Sequence, residues 1–345
     1  MTFQEILKAA RDCSGPCRAC PECNGKACGN TIPGPGSKGI GDVAIRNYDA
    51  WKKIRVNMNT ISENVDPDTT FDFFGKQLAA PIFAGPVGAM KMHYGDKYTD
   101  LEYNNILVKA CADAGILAFT GDGMDAEVMK AACLAIADAG GQGIPTVKPW
   151  DLATLKEKFA LVEGSGCSVV ATDIDAAGLP FLRNMQPPAG SKTVSELRDM
   201  IEAAGKPYII KGIMTVKGAL AAKEAGASGI VVSNHGGRVL DQCPSTAEVL
   251  EEIADAVGDS MMVLVDGGIR SGDDIFKAIA LGADAVLIAR RFVTAVYGGG
   301  AEGVRVYTQK LIMELKDTMK MCGAATLKDI DRGCLFRPSS KYFSF

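Results

Sequence analysis

The chain has 345 residues, 47% of them hydrophobic and 23% charged, the proportions of a globular enzyme with a large core rather than of a disordered chain. Its 37 Lys and Arg against 41 Asp and Glu give a net charge of -4, which excludes a sequence-wide attraction to nucleic acid or anionic lipid. No apolar run approaches the roughly 20 residues of a spanning helix, and MTFQEILKAARDC lacks a basic-then-apolar signal pattern, so neither a nucleic-acid partner nor a membrane span is expected, and the location is expected to be cytoplasmic.

Residues 1–45 read as an N-terminal helix followed by an irregular arm rich in Cys, Gly and Pro. Five of the chain's 11 cysteines crowd there, at Cys13, Cys17, Cys20, Cys23 and Cys28. In a reducing compartment such a cluster reads as metal-binding or redox-active before it reads as a disulfide framework. Its spacing, C-x3-C-x2-C-x2-C-x4-C, differs from the bacterial ferredoxin run and from paired zinc knuckles. Cys13, Cys17, Cys20 and Cys23 are the metal-ligand candidates, with Cys28 as a fifth; an iron–sulfur cluster, zinc and free redox-labile thiols all stay open. Cys111, Cys133 and Cys167 lie in apolar stretches, where cysteine serves as a small hydrophobe.

Beyond Ala80, short apolar runs of strand length alternate with Ala-, Leu- and Lys-rich stretches of helix length. The predicted strands are Pro81–Ala84, Leu117–Thr120, Pro145–Lys148, Ser168–Ile174, Tyr208–Ile213, Gly229–Ser233, Met261–Val265 and Ala285–Ile288. Between them the predicted helices are Tyr98–Ala114, Ala126–Ala139, Leu152–Glu163, Val194–Ala204, Val216–Ala225, Thr246–Val257 and Asp273–Leu281. Near-continuous apolar strands imply a parallel sheet covered by helices, and eight such units match a (β/α)8 TIM barrel over residues 46–332, followed by a tail, 333–345. An open doubly wound sheet is the competing topology, but no first-unit G-x-G-x-x-G is present.

Polar residues recur at strand ends, where barrel chemistry sits. The fifth strand carries Lys211 in an otherwise apolar run. The sixth ends Ser233-Asn234-His235-Gly236-Gly237-Arg238, glycines allowing close backbone approach to a ligand. The seventh and eighth give Asp266-Gly267-Gly268-Ile269-Arg270 and Ala289-Arg290-Arg291, a grip suited to phosphate. Of the two histidines, His235 reads as catalytic and His93 as structural; Arg291 reads as a surface or helix-start charge.

SNHGGRVLD, then VDGGIRSGDDIFKAIALGADAVLIARR and TMKMCGAATLKDI, resemble the FMN-dependent 2-hydroxy-acid oxidase and dehydrogenase family, which includes glycolate oxidase and flavin L-lactate dehydrogenases. The resemblance implies FMN and oxidation of a 2-hydroxy acid to a 2-oxo acid, with a hydride equivalent passing to flavin N5. It makes His235 the base, Asp175 its carboxylate partner, Arg238 the holder of the substrate carboxylate and Lys211 the cation beside flavin N1. Pro86, Val87, Gly88, Gly121 and Ser233 fall at flavin-contacting positions, Lys148 at the ring in place of a glutamine, and Asp266, Gly267, Gly268, Arg270, Ala289 and Arg290 at the ribityl and phosphate clamp. Family members are commonly homo-oligomers, and an electron-acceptor protein is a candidate partner beside the small 2-hydroxy acid.

The pocket departs from the family pattern. The two tyrosines near the substrate carboxylate have no evident counterpart, Gly121-Asp122-Gly123 stands where a serine and a tryptophan are common, Asp173 replaces a flavin-contacting threonine, and Arg183 is the candidate for a second arginine. Three other readings stay open: chemistry like that of type 2 isopentenyl diphosphate isomerase, an oxidative peptide-tailoring enzyme, and a non-enzymatic flavin electron-transfer module.

Overall fold

A computed structural model describes residues 1–180, 182 and 189–336; Arg183 and the aromatic tail Lys341 to Phe345 lie outside the described residues. Ten strands form among the described residues: β1 (Phe71–Phe73), β2 (Lys76–Leu78), β3 (Ile82–Ala84), β4 (Leu117–Thr120), β5 (Ile144–Val147), β6 (Val170–Asp173), β7 (Tyr208–Ile213), β8 (Gly229–Val232), β9 (Met262–Val265) and β10 (Ala285–Ile288). β3 to β10 are parallel neighbours in order, and β10 pairs back onto β3 through Val286 opposite Ile82, closing an eight-stranded barrel. The expected (β/α)8 architecture is the one found.

The strands are buried on both faces, which is why no polar alternation marks them. One set of side chains, among them Phe83, Phe119, Ile209, Val231 and Leu264, fills the barrel interior. The intervening set, including Ile82, Ile210, Ile230 and Val263, packs outward against the helices. The β1–β2 hairpin seals the bottom: the Phe73 ring packs tilted against Phe83, centroids 4.7 Å apart, and Ala79 N–H donates to Gly115 O just ahead of β4. This hairpin was not foreseen, because its two three-residue strands are shorter than any periodic signal.

Eleven α-helices accompany the strands among the described residues: α1 (Phe3–Arg11), α2 (Asp42–Lys53), α3 (Met90–Tyr94), α4 (Asp100–Asp113), α5 (Ala126–Asp138), α6 (Leu152–Gly164), α7 (Val194–Ala204), α8 (Val216–Ala225), α9 (Thr246–Val257), α10 (Gly272–Ala280) and α11 (Arg290–Cys322). Local chemistry sets several starts: Thr99 with Glu102, Thr193 with Glu196 and Ser245 with Glu248 form capping boxes. α11 is broken at Gly300 (φ 55, ψ -140), at the end of a triple glycine that hid its length from the sequence reading. No helix among the described residues is long and apolar enough to cross a membrane.

The N-terminal segment packs into the same body. Ile6, Ala10 and Ala19 are almost wholly buried. α2 lies over the loop after β9, where Trp51 Nε1 donates to Gly267 O at 2.8 Å. A Cβ on Gly268 would meet Asn47 O at 2.2 Å, so the glycine here is a packing requirement as well as a positive-φ position (φ 84).

Candidate active site

With the hairpin at the strands' N-terminal ends, the cavity opens at their C-terminal ends. Its volume is about 1510 Å³ including the open mouth, and it is lined from the loops after β3, β4, β5, β8, β9 and β10 together with Gly34, Pro35, Ala44 and Asn47 of the N-terminal segment. Of the residues expected at the site, Pro86, Val87, Gly88, Gly121, Lys148, Lys211, His235, Arg238, Asp266, Gly267, Gly268, Arg270, Ala289 and Arg290 line it. Asp175 and Ser233 act from behind this wall.

His235 follows β8 in a left-handed conformation (φ 55), and its Nδ1 stands 3.0 Å from Asp175 Oδ1. Asp175 lies in the 3-10 turn Ile174–Gly178 after β6. Gly212 makes room for it: this residue has φ 103 at a register shift in β7, and a Cβ there would come within 2.5 Å of Asp175 Cγ. Burial, reinforced by the Lys211 and Lys148 charges, holds the His235 pKa below its ordinary value against the opposing pull of Asp175. The imidazole is therefore neutral at neutral pH, the state a base requires. Burial would raise Asp175, but the His235 and Lys211 charges outweigh it and keep the carboxyl low.

Lys211 is 2% exposed. Its ammonium donates to Ser233 Oγ at 2.8 Å and stands 3.2 Å from Asp266 Oδ2. Burial opposes its charge, yet Asp266, Asp175 and Asp173 together raise its pKa, so it is a fixed cation. Lys148 is paired with Asp173, a buried ion pair on the cavity wall. Asp122 accepts from Lys158 Nζ (2.8 Å), Trp150 Nε1 (2.7 Å) and Lys148 N–H (3.0 Å), so it braces the end of β5.

Arg238 is tied to the N-terminal segment: its Nη1 donates to Gly34 O at 2.7 Å and to Gly36 O at 2.9 Å. Burial brings its pKa down to about 10, which leaves it charged. The arm thus sets the guanidinium in the cavity wall, a long-range contact that no local pattern announces.

Two single-residue expectations change. His93 was read as structural, but it lines the cavity in α3, and its Nδ1 accepts from Gly34 N–H at 3.0 Å, so the neutral ring carries its proton on Nε2. Burial, with the Arg238, Lys148 and His235 charges, pushes its pKa down to about 4. Arg291 was read as a surface or helix-start charge; it does lie in the first turn of α11, but it is only 2% exposed.

The cysteines stand outside the cavity. Cys13 Sγ is 3.3 Å from Tyr297 O and 3.3 Å from Lys97 Nζ. Among the described residues the sole trio of His, Cys, Asp or Glu donors within 4.8 Å of one another is Asp173, Asp175 and His235, so no three cysteine sulfurs meet that closely.

One end of the cavity suits a phosphate and a polar chain. Arg270 and Arg290 line it with no carboxylate ion pair among the described residues, and Asp266 Oδ1 is buried without a partner. The other end gathers an imidazole–carboxylate pair, an arginine and a buried lysine. Such a barrel and cavity fit a flavin oxidoreductase acting on hydroxy acids.

The model of the FMN-dependent dehydrogenase family matches residues 36–186 and 180–337. The chain is 30% identical over 321 residues to the peroxisomal (S)-2-hydroxyacid oxidase GLO3 of Arabidopsis thaliana, covering 83% of this chain and 86% of that protein. It is 31% identical over 326 residues to 4-hydroxymandelate oxidase of Amycolatopsis orientalis, covering 85% and 89%. A mandelate oxidase variant solved with (S)-mandelic acid superposes with a TM-score of 0.76 at 27% identity, covering 97% of both chains. The chain belongs to the FMN-dependent dehydrogenase family, whose 2-hydroxy-acid oxidoreductases act on CH–OH donors.

Proposed function

We propose that a small 2-hydroxy acid is oxidised to its 2-oxo acid in this cavity by His235, Asp175, Arg238 and Lys211. The observation that carries the reading is the partly buried His235–Asp175 pair, 3.0 Å apart, beside the cavity that a charged Arg238 and a buried Lys211 line. Bound FMN supplies the two-electron acceptor. Its phosphate would be held by Arg270, Arg290 and the backbone of Gly267, Gly268 and Ala289, and its ring end by Pro86, Val87, Gly88, Gly121, Ser233, Lys148 and Lys211.

Arg238 binds the substrate carboxylate and orients the C2 carbon. The Nε2 of His235 takes the proton of the C2 hydroxyl, and Asp175, fixed on Nδ1, stabilises the imidazolium that results. Lys211 places permanent positive charge where negative charge develops during the two-electron transfer. His93, with Nε2–H as a neutral donor, stands in the cavity wall near Arg238, both tied to Gly34. The free cysteines suit a reducing, cytoplasmic setting, and assembly as a homo-oligomer is carried over from the family.

The His235–Asp175 pair on one cavity with Arg238, a guanidinium suited to a carboxylate, favours this reading over isomerisation or a purely electron-carrying role. The test is the flavin absorbance of purified protein under argon before and after a panel of 2-hydroxy acids that includes L-lactate. Bleaching by at least one member is expected; a yellow protein that none of them bleaches contradicts the proposal.

A further inference from the structure

We propose that Cys17, Cys20, Cys23 and Cys28 ligate an iron–sulfur cluster of the four-iron cubane type, bound beside the phosphate end of the cavity. All four are free, partly buried thiols within one twelve-residue stretch. That stretch is bolted to the barrel by arginines of the last two strand-end loops: Arg270 Nε and Nη2 each donate to Cys23 O at 3.1 Å, and Arg291 Nη2 donates to Pro21 O.

The surroundings call for an anion. Arg291 is 2% exposed, pairs with no carboxylate among the described residues, and keeps its Nη1 buried without an acceptor. It does not line the FMN cavity, so the phosphate there does not account for it. A cluster carrying four thiolates is the type of anion that such a cationic nest stabilises.

The sulfurs are not gathered as a single zinc ion would hold them. A single tetrahedral zinc with bonds of about 2.3 Å draws its four sulfurs to within about 3.8 Å of each other, whereas no three here lie within 4.8 Å. A cubane sets each thiolate on a different iron and so spreads them further apart. Cys13 is outside the set, since its thiol sits against Tyr297 O and Lys97.

The cluster's role rests on the oxidation proposed above. Each 2-hydroxy acid converted to a 2-oxo acid releases two electrons and two protons, and the electrons leave singly through the cluster to a one-electron carrier protein, reducing two carriers. The experiment is anaerobic purification followed by iron, sulfide, zinc and flavin analysis and by electron paramagnetic resonance of the dithionite-reduced protein. About four irons and four sulfides per chain are expected in the wild type and in Cys13→Ser. They should be lost from Cys28→Ser and Cys20→Ser, with flavin and its bleaching by substrate retained. Bleaching without bound iron, zinc in place of iron, or loss of iron in Cys13→Ser but not in Cys28→Ser overturns the site. Iron and sulfide without bleaching leaves the site standing and removes the oxidation instead.

Discussion

Replacing Asp175 by Asn removes one charge from behind the cavity wall while keeping an oxygen for His235 Nδ1–H to meet at 3.0 Å. A unit charge pair at that distance is worth about 5.5 kcal/mol at an effective dielectric of about 20, and the neutral hydrogen bond that survives recovers about 1 kcal/mol. The imidazolium formed during proton transfer then loses about 4.5 kcal/mol of stabilisation, so flavin reduction should slow by about 10³-fold. KM should change little, because Arg238 is untouched. The pH profile carries a second signature. Protonated His235 is inactive as a base, so the acid limb of kcat/KM follows its pKa. Asp175 is what opposes the depression caused by burial and Lys211, so in Asp175→Asn the limb moves to lower pH as the plateau falls. Anaerobic stopped-flow reduction across the histidine titration range reads both. An unchanged plateau, or a limb displaced upward, refutes the pairing.

Gly212→Ala drives a Cβ within 2.5 Å of Asp175 Cγ at φ 103, so FMN content should persist while stopped-flow reduction falls about 10²-fold. Asp122→Ala strands the buried Lys158 ammonium and two N–H donors; a loss of about 3–5 kcal/mol is expected, seen calorimetrically as a Tm lower by on the order of 10 °C. His93→Phe removes a donor from the wall beside Arg238, and steady-state kinetics should show KM raised about tenfold with a smaller change in kcat. Because His93 already titrates near pH 4, its loss should leave the acid limb set by His235 in place.

Much of the barrel is legible in the sequence because strands buried on both faces advertise themselves as unbroken apolar runs such as Tyr208-Ile209-Ile210. The chemistry at their ends is legible for the same reason, since Lys211 and His235 interrupt those runs. Boundaries moved by a residue or two: β5 runs Ile144–Val147 rather than Pro145–Lys148, and β6 Val170–Asp173 rather than Ser168–Ile174. What the sequence hides depends on contacts between distant segments. Gly34 and Gly36 look like loop punctuation until their carbonyls are found on the Arg238 guanidinium. His93 gave one usable signal, its place in the loop after the first barrel strand, but the tautomer that fits it for the cavity is set by Gly34, 59 residues away. Arg291 reads as a surface charge because nothing local shows the arm folding over it.

The measurement nearest the centre of this account is substrate-driven bleaching in His235→Ala under argon. The variant should stay yellow, since the FMN contacts assigned to the loops after β9 and β10 are intact, yet its flavin should no longer be reduced by any 2-hydroxy acid that bleaches the wild type. Reduction at the wild-type rate would contradict the assignment of the base.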